Sequence, residues 1–241
     1  MKERVQKIIA KAMGISRRMA ESLIMSGKVK IDGQVCTNLG TKVDPLKNQI
    51  RVDGKLIRYS SKHIYIIYNK PRFELVTKKD ERGRRTIWES LSGFKHKLNA
   101  AGRLDFDSEG LLILTNDGGL IHRLTHPSFE VEKEYIVKVE GVPREDKLNR
   151  LRRGVSIGGV VYSPASITIK KRFTKSTWLL VSLKEGKNRE IRKMFEYIGC
   201  PVLRLKRIRI GPVKLGNLPP GKWRHIDKNI LKILLKKLGI S

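Results

Sequence analysis

Three short segments carry residue types that can do chemistry. The first runs Gly102-Arg103-Leu104-Asp105-Phe106-Asp107-Ser108-Glu109-Gly110-Leu111-Leu112. It is a turn-rich loop feeding an apolar run. A carboxylate held there beside Arg103 can serve as a nucleophile or a base, or Asp105 and Asp107 can simply cap backbone amides in a turn. The second is Lys133-Glu134-Tyr135, at the start of a β-prone run. Tyr135 can stack on a nucleobase or sit half-buried in a sheet. The third, Glu185 to Met194, puts Arg189, Arg192 and Lys193 within one helical turn of one another. A guanidinium there can pair with a buried carboxylate, or the segment can be a solvated basic face. A glycoside hydrolase would need two carboxylates set a fixed gap apart across the bond. Adjacent loop acids such as Asp105, Asp107 and Glu109 fit that requirement poorly.

The elements that must position these residues are legible from periodicity. Val5, Ile8, Ile9, Ala12 and Met13 form one face of a helix over 2–13, ended by Gly14. Ser16 is placed to cap a second helix through Met25, with Met19, Ala20, Leu23 and Ile24 toward the core. Apolar alternation around Asp32-Gly33 and again around Asp53-Gly54 predicts two hairpins with type I′ turns. Arg17, Arg18, Lys28 and Lys30 gather where these helices and strands meet. Arg58-Tyr59-Ser60-Ser61-Lys62 is a polar break and a natural linker, which gives domains at 1–58 and 63–241. Beyond it, Ile64–Tyr68 reads as a buried strand closed by Asn69-Lys70-Pro71. Further strands are predicted at Leu111–Leu114, Tyr135–Val139, Ser166–Ile169, Trp178–Leu183 and Val202–Ile210. Helices are predicted at Arg189–Tyr197 and Ile230–Leu238, and 216–221 is a loop. The fold class is α+β, with the larger domain built on a long, mostly antiparallel mixed sheet.

Charge narrows the partner. The 241 residues hold 52 Lys+Arg against 23 Asp+Glu, a formal net charge of +29. A compact chain that basic repels itself unless an anionic partner offsets the excess, and nucleic acid comes before an anionic membrane. A neutral sugar substrate would leave the charge unexplained. No helix-turn-helix or zinc-finger spacing supports DNA. Cys36 and Cys200 stand far apart with no CxxC pairing, so a metal site is not expected. The N-terminus leads into an amphipathic pattern rather than an apolar signal core, and no apolar run approaches the ~20 residues of a membrane span. A cytoplasmic location is expected.

Two resemblances then appear. The stretch Val5 to Val43, with Gly14-Ile15-Ser16-Arg17-Arg18, Ser26-Gly27-Lys28-Val29 and Ile31-Asp32-Gly33, resembles the S4-like RNA-binding domain. In that family the second helix and the following loop meet structured RNA, which singles out Arg17, Arg18, Lys28 and Lys30. The ordered set Asn69-Lys70-Pro71, Gly102-Arg103-Leu104-Asp105, Lys133-Glu134-Tyr135 and Asn188-Arg189-Glu190-Ile191-Arg192-Lys193-Met194 resembles the ribosomal RNA pseudouridine synthases of the RsuA/RluB/RluE/RluF family. It spans nearly the whole chain.

The second resemblance implies an isomerase with Asp105 as the catalytic aspartate and Arg192 as its ion-pair partner. Tyr135 would stack on the target uracil and Ile191 would pack under it. Arg103 would hold the RNA backbone or fill the space left by the flipped base. Arg189 and Lys133 are further substrate-binding candidates. No metal and no cofactor are expected. The partner would be ribosomal RNA or a ribosomal assembly intermediate, met by a monomer. Asp80-Glu81-Arg82-Gly83-Arg84-Arg85-Thr86 and Pro220-Gly221-Lys222-Trp223-Arg224 look more like members acting on the large-subunit (23S) RNA. Arg85 departs from the proline of their Gly-Arg-Pro-Thr pattern. The alternatives are the same chemistry on small-subunit (16S) RNA, or a ribosome-assembly factor that binds RNA without catalysis.

Overall fold

A computed structural model describes residues 2–57, 62–94 and 98–240. Apart from Lys62, the expected linker at 58–62 lies outside the described residues. The chain forms two compact units: Met1–Ile64 with Leu91–Asn99, and Tyr65–Ser90 with Ala100–Ser241. By sequence, 91–99 groups with the larger domain, because nothing in its composition marks it out.

In the first unit, helix α1 spans Val5–Met13 and ends on Gly14 at φ 67°, the left-handed conformation glycine adopts without penalty. The helix was expected to begin at 2. Instead Glu3–Arg4 pairs as a short strand with Lys42–Val43. The reason is local: Arg4 supplies no side-chain cap, and the Val5 N–H donates to the Thr41 carbonyl at 2.9 Å. That bond satisfies a helix-terminal donor and sets the start. Helix α2 spans Arg17–Met25, and the Ser16 hydroxyl accepts from the Met19 N–H as expected. Ala20 and Ile24 are buried, but Met19, expected in the core, is 55% exposed. The buried stripe centres on Ala20 and Ile24, which leaves Met19 on its flank.

Strands β1 (Val29–Ile31), β2 (Gln34–Val35), β3 (Ile50–Val52) and β4 (Lys55–Leu56) form a sheet in the order β2-β1-β3-β4. Asp32 and Gly33, and again Asp53 and Gly54, have positive φ, as type I′ turns require. Val5, Ile8, Ile9, Ala20, Ile24 and Val29 are among the core residues. Arg17, Arg18, Lys28 and Lys30 are all exposed. Lys28 Nζ lies 3.8 Å from an Asp53 carboxylate oxygen.

The second unit is organised by a long mixed sheet. Its principal strands are β5 (Tyr65–Lys70), β6 (Glu109–Thr115), β7 (Lys133–Glu140), β8 (Ser166–Phe173), β9 (Ser176–Leu183), β10 (Val202–Ile210) and β11 (Trp223–His225), in the order β8-β9-β7-β10-β6-β5-β11. Every neighbouring pair in this order is antiparallel except β10 and β6, which run parallel. Each residue of β6 is buried, as a strand covered on both faces should be. The open edge, β8, carries Lys170, Lys171 and Arg172, charges that discourage strand addition by another chain.

One side of the sheet packs Tyr135, Val137 and Leu179 with Ile191, Met194 and Phe195 of helix α5 (Glu190–Tyr197). Helix α4 (Glu145–Arg153) adds Leu148 and Leu151 to the same core. A second core joins Ile67, Leu111 and Ile113 to helices α3 (Gly118–Thr125) and α6 (Lys228–Lys237). No helix among the described residues is long and apolar enough to cross a membrane.

The parallel contact places an absolute demand on Gly110. Its φ is 108°, and a Cβ there would lie 2.2 Å from the Arg207 carbonyl oxygen and 2.7 Å from the Arg207 nitrogen. Both clashing atoms are backbone, so no side-chain movement relieves them. Gly110→Ala is expected to lower stability by about 3 kcal/mol or more, read as a drop in the urea midpoint at unchanged slope.

Candidate active site

Asp105 sits on a loop whose backbone is tied down at almost every residue. The Lys70 ammonium, at the end of β5, donates to the Pro71 and Ser108 carbonyls at 2.9 and 2.8 Å. The Arg207 guanidinium, on β10, donates to the Arg103 carbonyl at 3.3 Å and to Leu111 at 2.8 Å. The Phe73 N–H donates to the Phe106 carbonyl at 2.6 Å. Arg192, on α5, reaches the Asp107 carbonyl and the Ser108 hydroxyl. Strands β5 and β10 and helix α5 thus converge on one loop. Lys70 is fully buried and Arg207 is 4% exposed. Their hydrogen bonds to carbonyls compensate part of the desolvation. Burial nevertheless pulls the Lys70 ammonium down to about 8.

The carboxylates face two arginines. Asp105 lies 3.8 Å from Arg189 and 4.0 Å from Arg192 Nε. The closer partner of Arg192 is Asp107, at 2.9 Å, and Arg189 also reaches Asp107 at 3.9 Å. The sequence reading paired Arg192 with Asp105 alone, whereas here two carboxylates and two guanidiniums form one cluster. Arg189 enters it from a left-handed backbone conformation, φ 51°, at the cap of α5. Asp105 keeps about a third of its side chain exposed, so it is both held by cations and accessible.

The accessible side opens on a cavity of about 570 Å³. Asp105, Arg103, Lys133, Tyr135, Arg189 and Ile191 all line it, so six expected site residues from three separate segments meet at one cavity. Arg192 stands behind the loop and braces it. Arg17, Arg18, Lys28 and Lys30 belong to the first unit. Tyr135 is 7% exposed and follows a β-bulge between Glu134 and Tyr135 in the pairing with β10. A bulge re-aims the side chains next to it. Burial, with the Arg207 charge nearby, pulls the Lys133 ammonium down to about 8.

The sequence assigns no role to Lys70, Arg207 or Glu190, and offers Asp107 only as a turn cap or as a poorly placed glycosidase acid. Lys70 was legible in principle, because a lysine closing an otherwise apolar strand is rarely buried without partners. Glu190 also lines the cavity. It is 3% exposed and one of its oxygens has no hydrogen-bond partner among the described residues. Burial pushes its carboxyl up to about 7. The folded state therefore holds this proton more tightly than the unfolded chain, and the associated stability is lost as pH rises from the unfolded value toward 7. Glu190→Gln keeps the acceptor for the Lys187 N–H and removes the buried charge. The variant is expected to gain about 1 kcal/mol over the wild type at pH 8 and to lose the decline between pH 5 and 7. Urea unfolding at the two pH values reads both effects.

The sequence pattern of the family described as RNA pseudouridylate synthase matches residues 64–197, and that of the S4 domain matches residues 3–45. The chain belongs to the RNA pseudouridylate synthase family and carries an S4 domain ahead of the catalytic one. It is an RNA pseudouridine synthase, an isomerase. A protein of Aquifex aeolicus named an uncharacterized RNA pseudouridine synthase is 39% identical over 100% of this chain and 97% of its own length. The ribosomal large subunit pseudouridine synthase B of Bacillus subtilis is 36% identical over 96% of this chain and 95% of its own. A solved pseudouridylate synthase superposes with a TM-score of 0.69 at 28% identity, covering 96% of this chain and 99% of that one.

Proposed function

We propose that this enzyme converts a uridine of large-subunit ribosomal RNA to pseudouridine, with Asp105 as the nucleophile. The observation that carries the reading is the placement of Asp105: partly exposed on the cavity wall, beside Tyr135 and Ile191, and within 4 Å of two guanidiniums. The volume suits a flipped nucleoside. A uracil inside a stack is out of reach, so the target must leave the helix. Arg189 and Arg192 flank the carboxylate that attacks, at 3.8 and 4.0 Å. Tyr135 stacks on the base and Ile191 packs under it. Arg103, an exposed side chain on an anchored backbone, meets the RNA strand, and Lys133 and Arg189 add substrate contacts. Arg17, Arg18, Lys28 and Lys30 of the S4 domain hold flanking structured RNA through its phosphates.

The reaction breaks the N1–C1′ bond of uridine, turns the base and forms a C5–C1′ bond. C5 then loses its proton and N1 gains one, so no oxidant or co-substrate enters the balance. The large-subunit assignment rests on the likeness to the Bacillus subtilis protein and on the 80–86 and 220–224 segments. The test is tritium release from ribosomal RNA transcribed with 5-tritiated uridine. Release from the large-subunit transcript alone is expected. Release from the small-subunit transcript alone would overturn the subunit assignment, and release from neither would overturn a ribosomal substrate.

A further inference from the structure

The segment that leaves α3 presents an aromatic surface that neither core packing nor the chemistry of Asp105 uses. His122, His126 and Phe129 are all exposed, yet their rings converge. The His122 and His126 centroids lie 5.0 Å apart, His122 and Phe129 5.7 Å, and His126 and Phe129 6.2 Å. The Arg123 guanidinium stands 5.7 Å from the Phe129 ring. Three rings left facing solvent are an unusual use of surface, since aromatic area is normally buried, while the half-buried Arg123 is tied to the Gly239 carbonyl at 3.4 Å.

The local backbone holds this arrangement. Pro127–Phe129 forms a single tight turn, closed by Glu130 in the left-handed conformation. The Ser128 N–H donates to His126 Nδ1 at 3.3 Å. The Ser128 hydroxyl lies 2.8 Å from the same nitrogen, so Ser128 holds the ring through its Nδ1 edge. The platform also adjoins the site, because Leu124, Thr125, His126 and Pro127 line the cavity that holds Asp105.

We propose that His122, His126 and Phe129 form a stacking platform for an unpaired RNA base next to the uridine that enters the cavity. Unstacked bases are recognised on aromatic faces, including histidine, and on arginine planes. Such stacking tolerates any base, since each has a π-face. A chain of net charge +29 brings the anionic strand to the surface, and Arg103, which lines the same cavity, offers it a cation. A duplex end presents no free base faces along its length, so the partner is single-stranded or locally opened RNA. The inference rests on the reading that the target uridine enters this cavity.

The test is photo-cross-linking of the full chain to a single-stranded oligoadenylate carrying one 8-azidoadenosine, followed by peptide mapping. The probe contains no uridine and cannot be isomerised, so a failure of Asp105 as nucleophile leaves its outcome untouched. Cross-links on His122, His126 or Phe129 are expected. Their yield should fall about tenfold in the His126→Leu/Phe129→Leu double variant, roughly one base stacked per 1.4 kcal/mol, and persist in Phe129→Tyr, which keeps the ring. Cross-links confined to other parts of the wild-type chain would overturn the proposal. So would an undiminished yield in a double variant that melts at the wild-type temperature.

Discussion

Asp105→Asn is expected to abolish uridine isomerisation, by about four orders of magnitude or more, while the protein folds and binds RNA as before. The amide keeps the size of the side chain and removes the electron pair and charge that attack requires. The fold survives because Asp105 contributes little to packing: its side chain is about one-third exposed, and its arginine contacts are 3.8 and 4.0 Å long. Contacts of that length at the surface of a cavity are worth little to stability. The loop itself is held through main-chain carbonyls by Lys70, Arg207 and the Phe73 amide, none of which senses the substitution. Single-turnover tritium release, a thermal melt and an RNA titration separate the three quantities. A variant that retains a tenth of the wild-type rate would show that another group attacks the substrate.

Arg192→Met is expected to damage stability and activity together. Arg192 is 9% exposed, pairs with Asp107 at 2.9 Å, and donates to the Val202 carbonyl at 3.1 Å and to the Ser108 hydroxyl at 3.3 Å. Removing it leaves the Asp107 carboxylate with only the longer, 3.9 Å contact to Arg189. A fully buried broken pair costs about 3–5 kcal/mol. Asp107 keeps 35% of its side chain exposed, so water relieves part of that, and about 2–3 kcal/mol is expected in urea unfolding. Adding Asp107→Asn should recover part of the stability, because the double variant no longer carries that charge. It should not recover turnover, because the loop carrying Asp105 has still lost its brace on α5. Full recovery of turnover in the double variant would mean that Arg192 acts only by neutralising Asp107.

The parts of this architecture that were legible in the sequence are those with strong periodicity or strict backbone demands. The strand Val202–Ile210 alternates and was read with its observed bounds. The Asp32-Gly33 and Asp53-Gly54 turns follow from positive φ. Helix α4 escaped notice because it buries only Leu148 and Leu151 among charged neighbours. Helix α3 escaped because it opens with Gly118 and Gly119, poor helix formers, and is held by the Asp117 cap on Gly119 and Leu120. Strand β11 is exposed at every position and, with Trp223 its single apolar residue, shows no alternation.

The site divides along the same line. Asp105, Tyr135 and Arg192 could be named from the motifs that carry them, because each motif is local. That Arg192 sits closer to Asp107 than to Asp105 depends on how α5 meets a loop more than eighty residues away, and no local pattern records it. The same holds for Arg207, whose side chain reaches across the parallel pair to the carbonyls of Arg103 and Leu111. Gly110 looked like a turn residue and is instead the point where two parallel strands come too close for a Cβ.

The most direct test of the central claim is pseudouridine mapping of ribosomal RNA from cells lacking the gene, complemented with either wild type or Asp105→Asn. One large-subunit pseudouridine is expected to vanish in the deletion, return with wild type and stay absent with Asp105→Asn. A map unchanged by the deletion, or a site restored by Asp105→Asn, would contradict the account.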